Sequence, residues 1–325
     1  MRVPPGNGGG PDSGGAPARC GAYSRWLMAG HPEETPLPPE VVALLGADIV
    51  DHSGAGTCRV VSGGGLVAKV GPPDVVAREA IVLRLSLPLA VPTVIDTGPG
   101  WLVTRAEADA SGPWSDADLH AALADLARLH DAFECRSGTA DDLSDLLPAG
   151  AAASLRRPFS PESAEAVLGP VRRLGFPLPA RLAYLLGEPG LILEAAALEP
   201  PTLLHGDPWP GNILRPDPGR RVWVDWELAS AGPSAADIAS WLGQTPWHTG
   251  VPTDGHLATY LAARSRRVDR ANFQRALDAA TVLWFFACDV PRLAASSSHE
   301  RAGAGAQPAV TIPTLAAAER LARGI

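Results

Sequence analysis

The twelve residues from Leu203 to Leu214, LLHGDPWPGNIL, set an acid, Asp207, and an amide, Asn212, in a segment that two prolines and two glycines keep from coiling into a helix. Apolar residues flank it on both sides, so the expected arrangement is a rigid polar loop carried between two short buried strands. A second polar group follows in RVWVDWELA, where Asp225 ends a Val/Trp strand that should be mostly buried. A buried aspartate is costly unless it is paired or bound to a metal. Oxygen-bearing side chains converging on one place suit a hard cation such as Mg²⁺, which takes a few protein oxygens and completes its shell with water and phosphate. A further carboxylate then has a proton to receive from an attacking hydroxyl. These parts fit phosphoryl transfer, in which the protein mostly positions groups and neutralises developing charge.

With 325 residues, the chain is long enough for about two lobes of ordinary size. Its 46% hydrophobic and 19% charged residues exclude wholesale disorder. A net charge of -8 argues against a nucleic-acid footprint and favours a neutral or cationic small-molecule partner. No apolar run is long enough for a membrane span, so no membrane partner is expected. Cys20, Cys58, Cys135 and Cys288 form no C-x-x-C pair, which suggests neither a disulfide framework nor a zinc site and makes the cytoplasm the expected location. The Gly/Pro-rich beginning, PPGNGGGPDSGGAPARCG, cannot bury enough apolar surface to offset its ordering entropy. Residues 1–40 are therefore expected to be a disordered tail without signal-peptide character, and Met28, the only other methionine, is an alternative start to Met1.

Between about 47 and 105 short β-rich runs alternate with glycine turns, which predicts a hairpin meander. One helix interrupts it over PPDVVAREAIVLRLS, and the strands VPTVIDTG and WLVTRAEA follow. Beyond residue 112 the pattern turns helical. Ser115 with Asp118 predicts a capping box ahead of Leu119, Leu123, Leu126 and Leu129 on one helix face. Further helices are predicted at 161–175, 178–198 with a break at Pro189-Gly190, 234–243, 254–266, 270–288 and 312–323.

HGDPWPGN and VDWE, with LARLHD before them and AGPSAADIASWL after, resemble in sequence and order the aminoglycoside phosphotransferase and choline kinase group, relatives of the protein kinases. The resemblance covers about residues 47 to 320. It implies a bilobal, protein-kinase-like α+β fold, with a small antiparallel-sheet N-lobe over 41–106 and a mainly helical C-lobe over 107–325. ATP or GTP would lie in the cleft. Asp207 would be the catalytic base, and Asn212 and Asp225 would hold Mg²⁺. Lys69, in the strand LVAKV, reads on its own either as a lysine facing water or as one with a partner. The resemblance assigns it to the α/β-phosphates, paired with Glu79. Backbone around Thr104, Arg105 and Ala106 would form the hinge that reads the nucleobase. HSGAGTCR would be either the loop over the phosphates or a plain hairpin turn.

His130 and His205 are expected to hydrogen-bond and pack rather than move protons, and Asp237 to tie the catalytic loop to a helix start. The acceptor is expected to be a small hydroxyl-bearing molecule, most plausibly an antibiotic. A housekeeping kinase of choline, homoserine or sugar type and a catalytically silent nucleotide-binding module are the alternatives. The chain end AAAERLARGI supplies few carboxylates, and the run DDLSD at 141–145 could line an acceptor site but is more commonly a solvated helix face, whereas TPWHTG and Trp241 offer aromatic and neutral surface. An acceptor less cationic than an aminoglycoside is therefore expected. The sequence carries no signal for oligomeric state.

Overall fold

The computed structural model describes residues 35–52, 57–109, 112–134, 168–169, 171–173, 178–290 and 312–323. The bulk of the expected tail, residues 53–56 of the glycine-rich turn, the acidic run at 141–145 and most of the helix expected at 161–175 lie outside them.

The first element is a helix not expected from the sequence, α1 (Pro39–Leu45), which starts on a proline and buries Val41 and Leu45. Five strands then make one antiparallel sheet: β1 (Val50–Asp51), β2 (Arg59–Gly63), β3 (Leu66–Val70), β4 (Val94–Gly98) and β5 (Trp101–Arg105), in the order β1-β2-β3-β5-β4. Gly64 and Gly65, both at positive φ, make the tight β2–β3 turn that residues with a Cβ would resist. The register puts Lys69 between Val60 on β2 and Leu102 on β5. Helix α2 (Pro73–Arg84), which begins at a proline as expected, packs on this sheet and carries Glu79 on a buried face with Val76, Val82 and Leu83.

The remainder is mostly helical. In α3 (Asp116–Phe133) the expected capping box is present: the Ser115 hydroxyl accepts from the Asp118 amide, and the Asp118 carboxylate accepts from the Ser115 amide, each at 3.2 Å. Helices α4 (Ala180–Gly187) and α5 (Pro189–Ala196) break at Pro189. Two small antiparallel pairs follow: β6 (Pro201–Leu204) with β9 (Ser230–Pro233), and β7 (Ile213–Leu214) with β8 (Val222–Trp223). β6, β7 and β8 are the short strands expected around the polar loop, whereas β9, which pairs with β6, was not expected. Helices α6 (Ala235–Thr249), α7 (His256–Ala263), α8 (Arg270–Trp284) and α9 (Ile312–Arg323) complete the described chain, and a π-helical turn over Phe285–Asp289 extends α8.

One hydrophobic cluster joins the two parts, running from Val76, Val82 and Leu102 of the sheet region to Leu119, Leu123, Trp223, Trp226, Trp241, Tyr260 and Phe273. A fully buried side chain such as Phe273 contributes about 1.5–3 kcal/mol. A second cluster, including Leu182, Leu185, Ile192, Phe285, Phe286 and Leu321, holds α4, α5, α8 and α9 together. Between them, these cores fix the polar loops that connect β6 to β9.

Candidate active site

Strand β6 delivers its chain directly into His205-Gly206-Asp207. Gly206 has φ 86°, and a Cβ there would stand 2.1 Å from the carbonyl oxygen of Leu228, so only glycine fits this corner. The corner is tied to α6 by Asp237, whose carboxylate accepts from the amides of His205 at 2.8 Å and Gly206 at 3.0 Å. The same carboxylate meets His130 Nε2 at 3.1 Å, and His130 Nδ1 meets the Tyr260 hydroxyl at 2.8 Å. His205 lies wholly buried, with Nε2 3.0 Å from the Val224 carbonyl and its ring against Trp226. Burial holds both imidazoles below the usual histidine range. His130, His205 and Asp237 thus build the loop.

Asp207 keeps partial exposure, and its carboxylate is gripped by three donors. Oδ1 accepts from Gln244 Nε2 at 2.8 Å, and Oδ2 accepts from Trp209 Nε1 and Asn212 Nδ2, both at 3.1 Å. Burial pushes its carboxyl up to about 7; the Asp225 charge adds to the rise and the hydrogen bonds oppose it. Asn212 ends a short 3₁₀ turn over Pro210–Asn212. Its Nδ2 also donates to the Asp207 carbonyl at 2.9 Å, and its own carbonyl accepts from the Val224 amide at 2.9 Å. That backbone bond fastens the Asp207–Asn212 loop to the chain entering Asp225.

Asp225 is the only described residue other than glycine at positive φ, 65°. Such a backbone is strained for a side chain with a Cβ, and strain of this kind concentrates where geometry serves function. The kink directs the Asp225 carboxylate to Lys69. Lys69 Nζ lies 2.6 Å from Glu79 Oε2, 2.6 Å from Asp225 Oδ1 and 3.4 Å from Glu227 Oε2. Burial alone would lower the ammonium, yet Asp225, Glu79 and Glu227 outweigh it and hold Lys69 well above its ordinary value. Glu79 also accepts from the Trp226 amide at 3.3 Å, and Arg78 Nη1 donates to the Glu227 carbonyl at 2.7 Å. Helix α2 therefore clamps the Asp225–Glu227 segment with two neighbouring side chains.

Residues far apart in sequence, Lys69, Glu79 and Asp225, are thus in direct contact, and Asp207 with Asn212 forms an adjoining group. Thr104 sits at the end of β5, paired with Val67 and Val94. The amides of Arg105 and Ala106 are engaged inside the sheet region, by Thr93 O and Gly65 O, each at 2.9 Å. A nucleobase read at this segment would have to use its other backbone groups or open these bonds.

Sequence reasoning overlooked four contributors: Gln244, the indole of Trp209, Glu227 and Arg78. Glu227 ends the VDWE run, and its place two residues after Asp225 is the available signal. Nothing local marked Gln244 or Arg78.

The donor set fits a magnesium ion. One ammonium among three carboxylates leaves excess negative charge, which a divalent cation offsets, and an anionic phosphate chain would approach these carboxylates only with its cation. Asp225 supplies a carboxylate whose side chain is 41% exposed, and Asn212, with its Nδ2 committed to Asp207, has its amide oxygen as the remaining donor.

Residues 57–277 match the model of the phosphotransferase enzyme family, APH, and the chain belongs to that family. Solved structures with the same fold include an aminoglycoside phosphotransferase from Alicyclobacillus acidocaldarius, 19% identical with a TM-score of 0.52, over 90% of this chain and 97% of that one. A choline/ethanolamine kinase family protein from Mesorhizobium loti is 21% identical with a TM-score of 0.50, over 86% of this chain and 95% of that one. The gentamicin complex of APH(2'')-IIa is 15% identical with a TM-score of 0.53, over 89% and 97%. Among curated proteins there is no match. The α+β kinase-like architecture and the phosphotransferase class expected from HGDPWPGN and VDWE thus hold. No described helix is long and apolar enough to cross a membrane.

Proposed function

We propose that the chain transfers the γ-phosphoryl group of ATP to a hydroxyl of a small molecule, in a cleft between an N-lobe over 41–106 and a helical lobe over 107–325. The observation that carries this reading is the juxtaposition of a triply held carboxylate, Asp207, with a buried lysine bridging three acids. Asp207 orients the acceptor hydroxyl and takes its proton as the oxygen attacks phosphorus. A carboxyl poised at about 7 suits that role at neutral pH, because it is basic enough to accept the proton and largely ionised just above neutrality. Lys69, held by Glu79, contacts the phosphates. Asn212 and Asp225 would hold Mg²⁺, which would supply neutralisation of the phosphate charge. Glu79 and Glu227 keep Lys69 in place. Thr104, Arg105 and Ala106 border the nucleobase.

The acceptor class follows from what surrounds Asp207. Gln244, Trp209 and His248, stacked on Trp209 with ring centroids 3.9 Å apart, bring no carboxylate of their own. A hydroxyl-bearing antibiotic or related natural product of low positive charge suits this surface better than a polycationic sugar, and the work would be done in the cytoplasm, where ATP is abundant. A coupled ADP-release assay across aminoglycosides, macrolides, nucleoside antibiotics, choline, homoserine and simple sugars tests the reading, with mass analysis for a phosphate adduct. Turnover of a weakly cationic natural product supports it. Preferential turnover of choline, homoserine or a sugar would replace the antibiotic by a housekeeping metabolite, and no substrate-dependent ADP release would favour a silent nucleotide-binding module.

A further inference from the structure

Gln244 belongs to neither motif from which the activity was read, yet it makes the shortest hydrogen bond to the Asp207 carboxylate. It sits on α6, two turns beyond Asp237, and is 4% exposed. Both hydrogens of Nε2 are spent, one on Asp207 Oδ1 at 2.8 Å and one on Ser240 Oγ at 2.9 Å. With Asp207 ionised, as it is when it takes up the acceptor proton, the opposite amide orientation would set Oε1 against the carboxylate, acceptor facing acceptor, so Nε2 is the atom that faces it. The other end of the amide, Oε1, is buried with no partner. An unpaired buried carbonyl is unfavourable, and a methionine of similar length would avoid it. A side chain that carries such a penalty beside the reacting carboxylate calls for a reason other than packing.

We propose that Gln244 is a positioning residue for the transfer step: it fixes the rotation of the Asp207 carboxylate so that one oxygen faces the acceptor hydroxyl. The inference rests on the phosphotransfer role given to Asp207 above. Trp209 and Asn212 come from the same loop as Asp207 and move with it. Gln244 comes from α6, which also anchors the loop through Asp237, so it sets the carboxylate relative to the helical lobe. A hydrogen bond of this kind restrains the carboxylate torsion, and misplacing a reacting group by a fraction of its length is expensive in rate. Because the contact is with Asp207 and with neither nucleotide nor metal ligand, its loss should appear in kcat and leave nucleotide affinity alone.

The test compares wild type, Gln244→Met, Asp207→Ala and the double variant. Steady-state kinetics use MgATP with whichever acceptor the panel identifies, and urea unfolding at fixed pH closes the double-mutant cycle. The expected result is a kcat about 10- to 100-fold lower in Gln244→Met, the loss of one hydrogen bond to a charged group, with KM for MgATP within about twofold of wild type. The cycle should show the two side chains coupled. Should Gln244→Met fail to fold, Ser240→Ala removes the second anchor of the same amide and should give a smaller fall of the same kind. Wild-type kcat in Gln244→Met, or additive effects in the cycle, would overturn the proposal. So would a parallel loss of kcat, nucleotide affinity and stability, the mark of a purely structural residue. A wild-type protein that phosphorylates nothing would defeat the phosphotransfer reading itself, and with it the role, while coupling in the cycle would still report the bond.

Discussion

Replacing Lys69 by methionine keeps the length and apolar stem of the side chain and removes only its charge. Three carboxylates then face one another without a cation, at positions that the ammonium reaches over 2.6, 2.6 and 3.4 Å. At an effective dielectric near 20, each 2.6 Å pair is worth about 6 kcal/mol before desolvation is subtracted. The Asp225 arm is screened, its side chain being 41% exposed, whereas Glu79 and Glu227 are 7% and 12% exposed and carry most of the effect. Breaking a buried ion pair by removing one partner typically costs about 3–5 kcal/mol, and that is the expected loss for Lys69→Met near pH 7.5. The sign with pH is fixed. In the wild type the Lys69 ammonium is held well above its ordinary value, so its contribution is fully present below about pH 10.4 and is lost only as pH rises through the folded value. In the variant the lysine charge that opposes the burial of Glu227 is gone, so Glu227, already raised by burial, takes a proton early. The penalty should therefore shrink as pH falls toward 5. Urea unfolding of both proteins at pH 5.0 and 7.5 measures it. A loss under about 1 kcal/mol, or an equal loss at both pH values, would refute the idea that this cluster is held electrostatically.

Two further perturbations test the loop itself. Gly206→Ala places a Cβ into the Leu228 carbonyl at a positive φ, and an unfolding free energy lower by about 2–4 kcal/mol is expected from chemical denaturation; an unchanged value would mean that the corner can open. His205→Gln removes one of two imidazoles held below the usual range by burial. A depressed histidine lends stability that is fully present above about pH 6.5 and lost below it, at up to about 1.4 kcal/mol per pH unit. Asp207 acts oppositely, since a carboxyl raised to about 7 favours the folded state as pH falls toward 4. The difference between variant and wild type isolates the histidine: His205→Gln should lose less stability between pH 6.5 and 5.0, and parallel curves would contradict its burial as a neutral ring.

Much of this arrangement was legible because its parts are local. HGDPWPGN announces a non-helical acid loop through its own prolines and glycines, and the capping box at Ser115 is written within four residues. Lys69 and Glu79 were readable only through the resemblance, since nothing in LVAKV says that its lysine meets an acid from a helix and two more beyond β8. Helix α1 was missed because its prolines continue a Gly/Pro-rich stretch, and its helicity comes from seating Val41 and Leu45 under the sheet. Helix α6 was expected to stop at Gly243; it runs on through Pro246 to Thr249. Gln244 lies in that extension, and only the fold brings it to Asp207.

The central claim is that Asp207 acts on the acceptor while Lys69, Asn212 and Asp225 serve the nucleotide and its metal. It is tested most directly by measuring MgATP binding and single-turnover acceptor phosphorylation in wild type and Asp207→Ala side by side. Nucleotide affinity within a few-fold of wild type, with transfer slower by about 10²- to 10⁴-fold, is the predicted outcome. Transfer at the wild-type rate by Asp207→Ala would contradict it.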